Sequence, residues 1–198
     1  LEAESRLQGF GVSACATCDG FFYRGREVVV VGGGNTAVEE ALYLAKLASK
    51  VTLVHRRDSL RAERILQQRL LRHDKVEMAW NSVVEDIIAE GMPPAVEAVR
   101  LRDVNSNETR DLATDGVFIA IGHSPVTDLF AGQVDIDGDG YIRTAADSTA
   151  TNIAGVFAAG DVQDKHFRQA VTAAGSGCMS ALEAERFLAT AEVAAAAE

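Results

Sequence analysis

The stretch Glu27-Val28-Val29-Val30-Val31-Gly32-Gly33-Gly34-Asn35-Thr36-Ala37 decides the fold. A run of valines with little alternation predicts a strand buried on both faces, the habit of a parallel sheet covered on both sides. The glycines predict a tight turn into a helix. Residues 35–48 then place Val38, Ala41, Leu42, Ala45 and Ala48 on one helical face, with Glu39 and Glu40 in the first turn, where the helix dipole favours acids. Val51 to Val54 reads as a second short apolar strand, so the whole is one βαβ unit.

Outward from this unit, Ala62, Ile65, Leu66 and Leu70 recur at helical spacing and predict an amphipathic helix near 61–72. From Val76 to Leu112 short strand-like runs are separated by Gly91-Met92-Pro93-Pro94 and Asn105-Ser106-Asn107, a small inserted β-meander. Val117 to Ile121 is another buried strand, and a domain boundary is expected near 122–126, at Gly122-His123-Ser124-Pro125. Beyond it come a hairpin over 134–143, a last strand at Val156 to Ala159, a final helix over about 168–189 and a frayed, Ala-rich tail at 191–198. The fold class is α/β.

The 198 residues suffice for one large or two small domains with a real core. With 19 basic and 29 acidic residues the net charge is −10, a surface that repels nucleic acid and anionic membranes. No apolar run reaches the roughly 18–20 residues of a membrane span, and no basic segment with an apolar core marks a secretory signal. Three cysteines, an odd number, do not make a disulfide scaffold and favour a reducing compartment. The chain begins at Leu1 on a polar stretch without a fold of its own, which suggests a piece of a longer protein or a processed start.

Gly32-x-Gly34-x-x-Ala37 matches the dinucleotide fingerprint. The first glycine makes the turn, the second admits a pyrophosphate close to the backbone, and the small third residue lets helix pack on strand. Asn35 and Thr36 open the helix, whose free N–H groups favour an anion. The bland alternative is a glycine-rich turn without a ligand. Where the second strand ordinarily delivers an acid to a ribose hydroxyl, this chain has His55-Arg56-Arg57, with Arg61 a turn later. Guanidinium forks suit a 2′-phosphate, so NADP is expected rather than NAD; a solvated basic helix start is the alternative.

Cys15-Ala16-Thr17-Cys18 has two readings, a redox dithiol or half of a zinc site. The second needs two more ligands, yet no second C-x-x-C exists and His55, His73, His123 and His166 show no paired spacing. Asp19 next to the pair can shuttle a proton or act as a turn acid. Asp135-x-Asp137-x-Asp139-Gly140 begins like a calcium loop, but the twelfth position is Ala146, so a hairpin turn is expected. Cys178 reads as a small buried apolar residue.

Taken together, residues 14–20 (Ala-Cys-Ala-Thr-Cys-Asp-Gly), 32–41, His55-Arg56-Arg57-Asp58, Ile121–Pro125, Gly155–Asp161 and Arg168-Gln169-Ala170 resemble the low-molecular-weight thioredoxin reductases of bacteria, over about 11–188. The resemblance implies a Rossmann-like three-layer NADPH domain with an inserted β-meander at 14–122. It implies a linker from an N-terminal FAD segment at 1–13, and part of a second Rossmann-like, FAD-binding domain at 123–198. It implies that hydride passes from NADPH to FAD, then to the Cys15–Cys18 disulfide, and that the dithiol reduces thioredoxin. In the family's order Cys18 faces the flavin, Cys15 attacks the thioredoxin disulfide and Asp19 is the acid/base. Gly160 and Asp161 belong to the FAD ribitol and pyrophosphate region, and Arg168, Gln169 and Ala170 to the segment against the isoalloxazine ring. The resemblance also implies a cytoplasmic homodimer and a hinge motion between domains at 11–13 and 122–126. Val126 stands where the family often has Asn. The family's first FAD segment, with its own glycine fingerprint, does not match any part of these residues.

Two other readings compete. One is an NADP-binding module with a dithiol but without flavin or turnover. The other keeps the flavoenzyme but exchanges the acceptor, as in peroxiredoxin-reducing relatives; His55-Arg56-Arg57 weighs against it, because those relatives resemble NAD users at that strand.

Overall fold

The computed structural model describes the backbone over residues 1–196 and the side chains over 1–190, so the tail expectation for 191–198 lies outside the fully described residues. The chain divides into two compact units, Leu1–Gly122 and His123–Glu198.

In the first unit β2 (Glu27–Val31) runs parallel to β3 (Lys50–Val54) and β8 (Gly116–Ile119) in a five-stranded sheet. The sheet's order is β1-β8-β2-β3-β4, with β1 at Val12–Ser13 and β4 at Val76–Ala79. Every neighbour pair in it is parallel. The valine run is explained by its two faces. Val28 and Val30 join Leu53 and Phe118 under the buried side of α3 (Asn35–Leu44), which contributes Ala37, Val38, Ala41 and Leu44. Val29 faces the other way and packs with Val54 and Val117 against Ile87, Val99 and Leu101. Those three belong to an antiparallel meander of β5 (Ser82–Glu90), β6 (Ala95–Asp103) and β7 (Thr109–Ala113). Helices, parallel sheet and meander make three layers, and each fully buried Val, Leu or Phe contributes about 1.5–3 kcal/mol of apolar burial.

Several boundaries differ from the sequence reading. The meander begins at Ser82, because Val76–Ala79 pairs with β3 as the parallel sheet's edge. The helix α3 ends at Leu44, although Ala45 and Ala48 remain in the core through a turn. The next helix, α4, spans only Arg64–Leu71, and Ile65 lies exposed rather than on its buried face. Residues 1–13 hold a short helix α1 (Glu2–Arg6) and strand β1, with Ala3 and Leu7 buried in the core beneath the meander.

The second unit is built mainly from turns and one long helix. A bridge pairs Ile136 with Ile142 around the expected hairpin, whose turn is closed by Asp137 accepting from the backbone of Asp139 and Tyr141. In place of a strand at 156–159 there is a single bridge between Ala150 and Phe157: Val156 N–H turns back to Ile153, and Gly155 and Gly160 at positive φ bend the chain at either end. The final helix α5 spans Ala170–Ala196. Its Glu183 receives both the backbone N–H and the hydroxyl of Thr149, and Ser176 accepts the N–H of Gly160.

Candidate functional site

The glycine turn leaves β2 at its carboxyl end. Gly32 has φ 155°, and a Cβ there would lie 2.4 Å from the Ala120 carbonyl oxygen and 2.7 Å from Ala37 Cβ. A Cβ on Gly33 would lie 2.2 Å from the His55 ring. Gly34, in contrast, faces open space, and it begins α3 without a side-chain cap. Two glycines are therefore required by packing, whereas the third leaves room over a helix N-terminus whose first N–H groups lack a side-chain acceptor. Thr36 is half-buried in that first turn and Ala37 fully buried against the sheet.

Beside it, just past β3, lies His55, which is 6% exposed and whose buried Nε2 has no hydrogen-bond partner among the described residues. Burial pushes its pKa below the ordinary histidine range; the charges of Arg61 and Arg57 push the same way, against backbone hydrogen bonds at Ser59 and Gly32. Arg56, Arg57 and Arg61 are exposed. Gly32, Gly33, His55, Arg56, Arg61 and Ile121 line a cleft of about 330 Å³. Its guanidinium groups, with the uncapped start of α3 one residue beyond Gly33, make a donor set suited to a polyanion. Trp80, edge-on to His55 at 6.4 Å between ring centroids, was not singled out by sequence, nor was Glu63, which bonds Asn35. No local pattern marks either one; Trp80 comes beside His55 through the pairing of β3 with β4, and Glu63 comes beside Asn35 through the segment after β3.

The dithiol follows β1, a strand parallel to β8 and β2, so it emerges at the same carboxyl edge of the sheet as the glycine turn. Cys15 and Cys18 form a disulfide with their Cα atoms 5.3 Å apart. Cys15 begins the short helix α2 (Ala16–Asp19): its Sγ accepts from Cys18 N–H at 3.2 Å and lies 3.7 Å from Thr17 Oγ1. Ser13 Oγ accepts the N–H of Cys15 at 3.0 Å. Asp19 is half-buried, and its N–H donates to Cys15 O at 3.1 Å. Burial, then the charge of Asp19, raises the pKa of Tyr23. Phe21 and Phe22 next to the pair are 66% and 73% exposed. Among the described residues no group of three or more His, Cys, Asp or Glu is placed to hold a metal.

In the second unit Asp161 is exposed in a short 3₁₀ turn over Gly160–Val162. Arg168 has φ 49°, and the N–H groups of His166, Phe167 and Arg168 all donate to Asp164, at 3.1, 2.9 and 3.0 Å. Asp164 is thus the organiser of the 166–170 bend, a role hidden from sequence because it depends on the loop's conformation. Arg168 Nη1 donates to Tyr141 Oη at 3.2 Å, Gln169 Nε2 donates to Phe167 O at 3.2 Å, and Ala170 begins α5 on an exposed face. Burial, then the charge of Arg168, lowers the pKa of His123, with Asp161 opposing. In the hairpin, the hydrogen bond from Lys165, then those from backbone N–H groups, hold Asp137 at about 2. Cys178, expected to be buried, is exposed, because it falls on an uncovered side of α5.

The chain matches the model of the pyridine nucleotide-disulphide oxidoreductases over residues 1–177. It is 58% identical to a thioredoxin reductase of Rickettsia conorii over 188 residues, which is 95% of this chain and 61% of that protein. To a thioredoxin reductase of Streptomyces clavuligerus it is 54% identical, covering 96% of this chain and 58% of the relative. The crystal structure of thioredoxin reductase from Streptococcus pyogenes superposes with a TM-score of 0.88 at 44% identity, over 95% of this chain and 60% of that one. The chain therefore spans about three fifths of the length of the relatives it matches. With its glycine turn, its disulfide and this match over most of its length, the chain belongs to the pyridine nucleotide-disulphide oxidoreductase family.

Proposed function

We propose that this chain is the NADPH-binding and dithiol-bearing portion of a thioredoxin reductase. The observation that carries the reading is the shared sheet edge: the disulfide and the arginine-lined cleft belong to one unit and leave it on the same side. The cleft's donor set fits NADPH. Gly34 and the uncapped start of α3, with Asn35, Thr36 and Ala37 behind them, would hold the pyrophosphate, and Arg56, Arg57 and Arg61 the 2′-phosphate, with the His55 ring as part of the cleft wall. Asp161 offers an exposed acceptor for sugar hydroxyls, and with Gly160, Arg168, Gln169 and Ala170 it would hold FAD. The chemistry that these cofactors supply when bound is hydride transfer and passage of its electron pair to a disulfide.

The residues of this chain carry the exchange that follows. In the dithiol, the Cys15 thiolate keeps the Cys18 N–H as a donor and Thr17 close by, contacts that favour the anion. It attacks one sulfur of an oxidised thioredoxin, forming a mixed disulfide and releasing the other sulfur as a thiolate. Cys18 then attacks Cys15, so the Cys15–Cys18 bond re-forms and thioredoxin leaves with two thiols. Asp19 is the proton source for a departing thiolate. A homodimer in the cytoplasm, without nucleic-acid or membrane partners, completes the reading. Among the described residues no helix is long and apolar enough to cross a membrane.

The test is a visible spectrum. The chain is incubated with FAD, desalted and given NADPH without oxygen. A retained flavin band that bleaches, followed by reduction of thioredoxin, supports the reading. Binding of NADPH without flavin retention means that these residues are the NADPH and dithiol portion of a larger reductase and do not turn over by themselves, and absence of NADPH binding overturns the reading.

A further inference from the structure

Building on the NADPH reading, we propose that Asn35 and Glu63 are positioning residues: a clamp that fixes the spacing between the two phosphate-binding parts of the cleft. Three hydrogen bonds tie the glycine turn to the segment that carries Arg61. Arg61 N–H donates to Gly33 O at 2.8 Å. Glu63 N–H donates to Asn35 Oδ1 at 2.8 Å, and Asn35 Nδ2 donates to Glu63 Oε1 at 3.4 Å. The bonds join residue 33 to 61 and residue 35 to 63, so two stretches 28 residues apart are tied together at two points.

The clamp explains why α4 starts late. The apolar pattern predicts a helix from about 61, yet Glu63 has φ −58° and ψ 144° and helix begins at Arg64. The N–H groups of Arg61 and Glu63 lie ahead of the helix and must be satisfied elsewhere; Gly33 O and Asn35 Oδ1 accept them. An asparagine at the first helical position ordinarily bonds its own neighbourhood or water. Here its side chain reaches across the cleft's rim instead.

The consequence is preorganisation. The glycine turn offers the pyrophosphate donors and Arg61 projects from the tied segment, so their separation is set before a ligand arrives. A ligand that engages both ends gains from this, whereas a ligand that engages the arginines alone gains nothing. Asn35 and Glu63 thereby favour molecules bearing both a pyrophosphate and a 2′-phosphate, without either side chain touching the 2′-phosphate.

The experiment is calorimetric titration of the 198-residue chain with NADP⁺, which spans both ends, and with adenosine 2′-monophosphate, which has the arginine-binding phosphate only. Asn35→Ala removes the acceptor. Glu63→Pro removes the N–H from the other side at a φ that proline already prefers. Each is expected to weaken NADP⁺ about tenfold, the scale of one lost hydrogen bond, and adenosine 2′-monophosphate less than about twofold. The double variant is expected to lose no more than about tenfold, since both substitutions remove the same bond. Glu63→Ala, which keeps the N–H, is expected to lose only roughly two- to threefold. Equal losses for the two ligands overturn the clamp, as does unchanged NADP⁺ affinity in Glu63→Pro. Failure of the unaltered chain to bind NADP⁺ overturns the NADPH reading itself and the clamp with it, and is seen before any substitution is made. Because the two variants reach one bond from opposite sides, misfolding of either, seen by circular dichroism, leaves the other as the test.

Discussion

The two units are held together by different means. In Leu1–Gly122 apolar residues fill both faces of the parallel sheet, and the largest fully buried side chains, among them Phe118, Leu44, Leu53 and Val30, all belong to it. In His123–Glu198 the buried apolar cluster is Val134, Ile142 and Ala158. There Val126, Leu129 and Val171 are 82%, 80% and 82% exposed, and loops are held by side chains bonding backbone, as at Asp164, Thr127 and Ser176. The first unit contains its own driving force for folding. The second relies on polar bonds, each of which contributes only about 0.5–1.5 kcal/mol net. The arginine-lined cleft and the disulfide both sit on the self-sufficient one.

The sharpest way to break this contrast is hydrogen exchange. Amides of β2 and β8 are expected to exchange only through global opening, and those of α5 roughly two orders of magnitude faster, through local opening. Equal protection would remove the distinction. A smaller effect separates the cores by mutation: Leu53→Ala is expected to cost about 2–5 kcal/mol in urea unfolding, and Ile142→Ala to fall at or below the lower end of that range, because its surroundings can collapse. The smallest effect is in pH. The folded-state pKa of His55 lies below its unfolded value, so the unfolded chain takes up the proton more readily and the first unit loses stability as pH falls below about 6.5. In His55→Gln the melting temperature of that unit should vary less between pH 7.5 and 5.5; an unchanged slope would show that His55 does not carry it.

The contrast also governs what was legible in the sequence. The valine run, the glycine turn and the face of α3 were readable because a buried parallel strand and an amphipathic helix each leave a periodic trace. Cys15 and Cys18 were readable as a pair because their chemistry is tied to residue type, and the sequence itself sets Arg56 and Arg57 together just past β3, with Arg61 close behind. The late start of α4 was not, since the apolar spacing at Ala62, Leu66 and Leu70 is helical while the N–H groups of Arg61 and Glu63 are taken by Gly33 and Asn35. The edge strand β4 was absorbed into the meander because a short apolar run does not declare whether its partner is parallel or antiparallel. In the second unit the expected strand at 156–159 gives way to a single bridge although Ala158 is buried, and Cys178 falls on a side of α5 that its small core of Val134, Ile142 and Ala158 does not cover.

The edge-on pairing of Trp80 with His55 has a practical side. Trp80 is the sole tryptophan of the chain, and its indole lies edge-on to the His55 ring, which lines the cleft. Intrinsic emission excited at the indole band therefore comes from one place, so the protein carries a built-in optical gauge of that corner of the cleft, readable without a label.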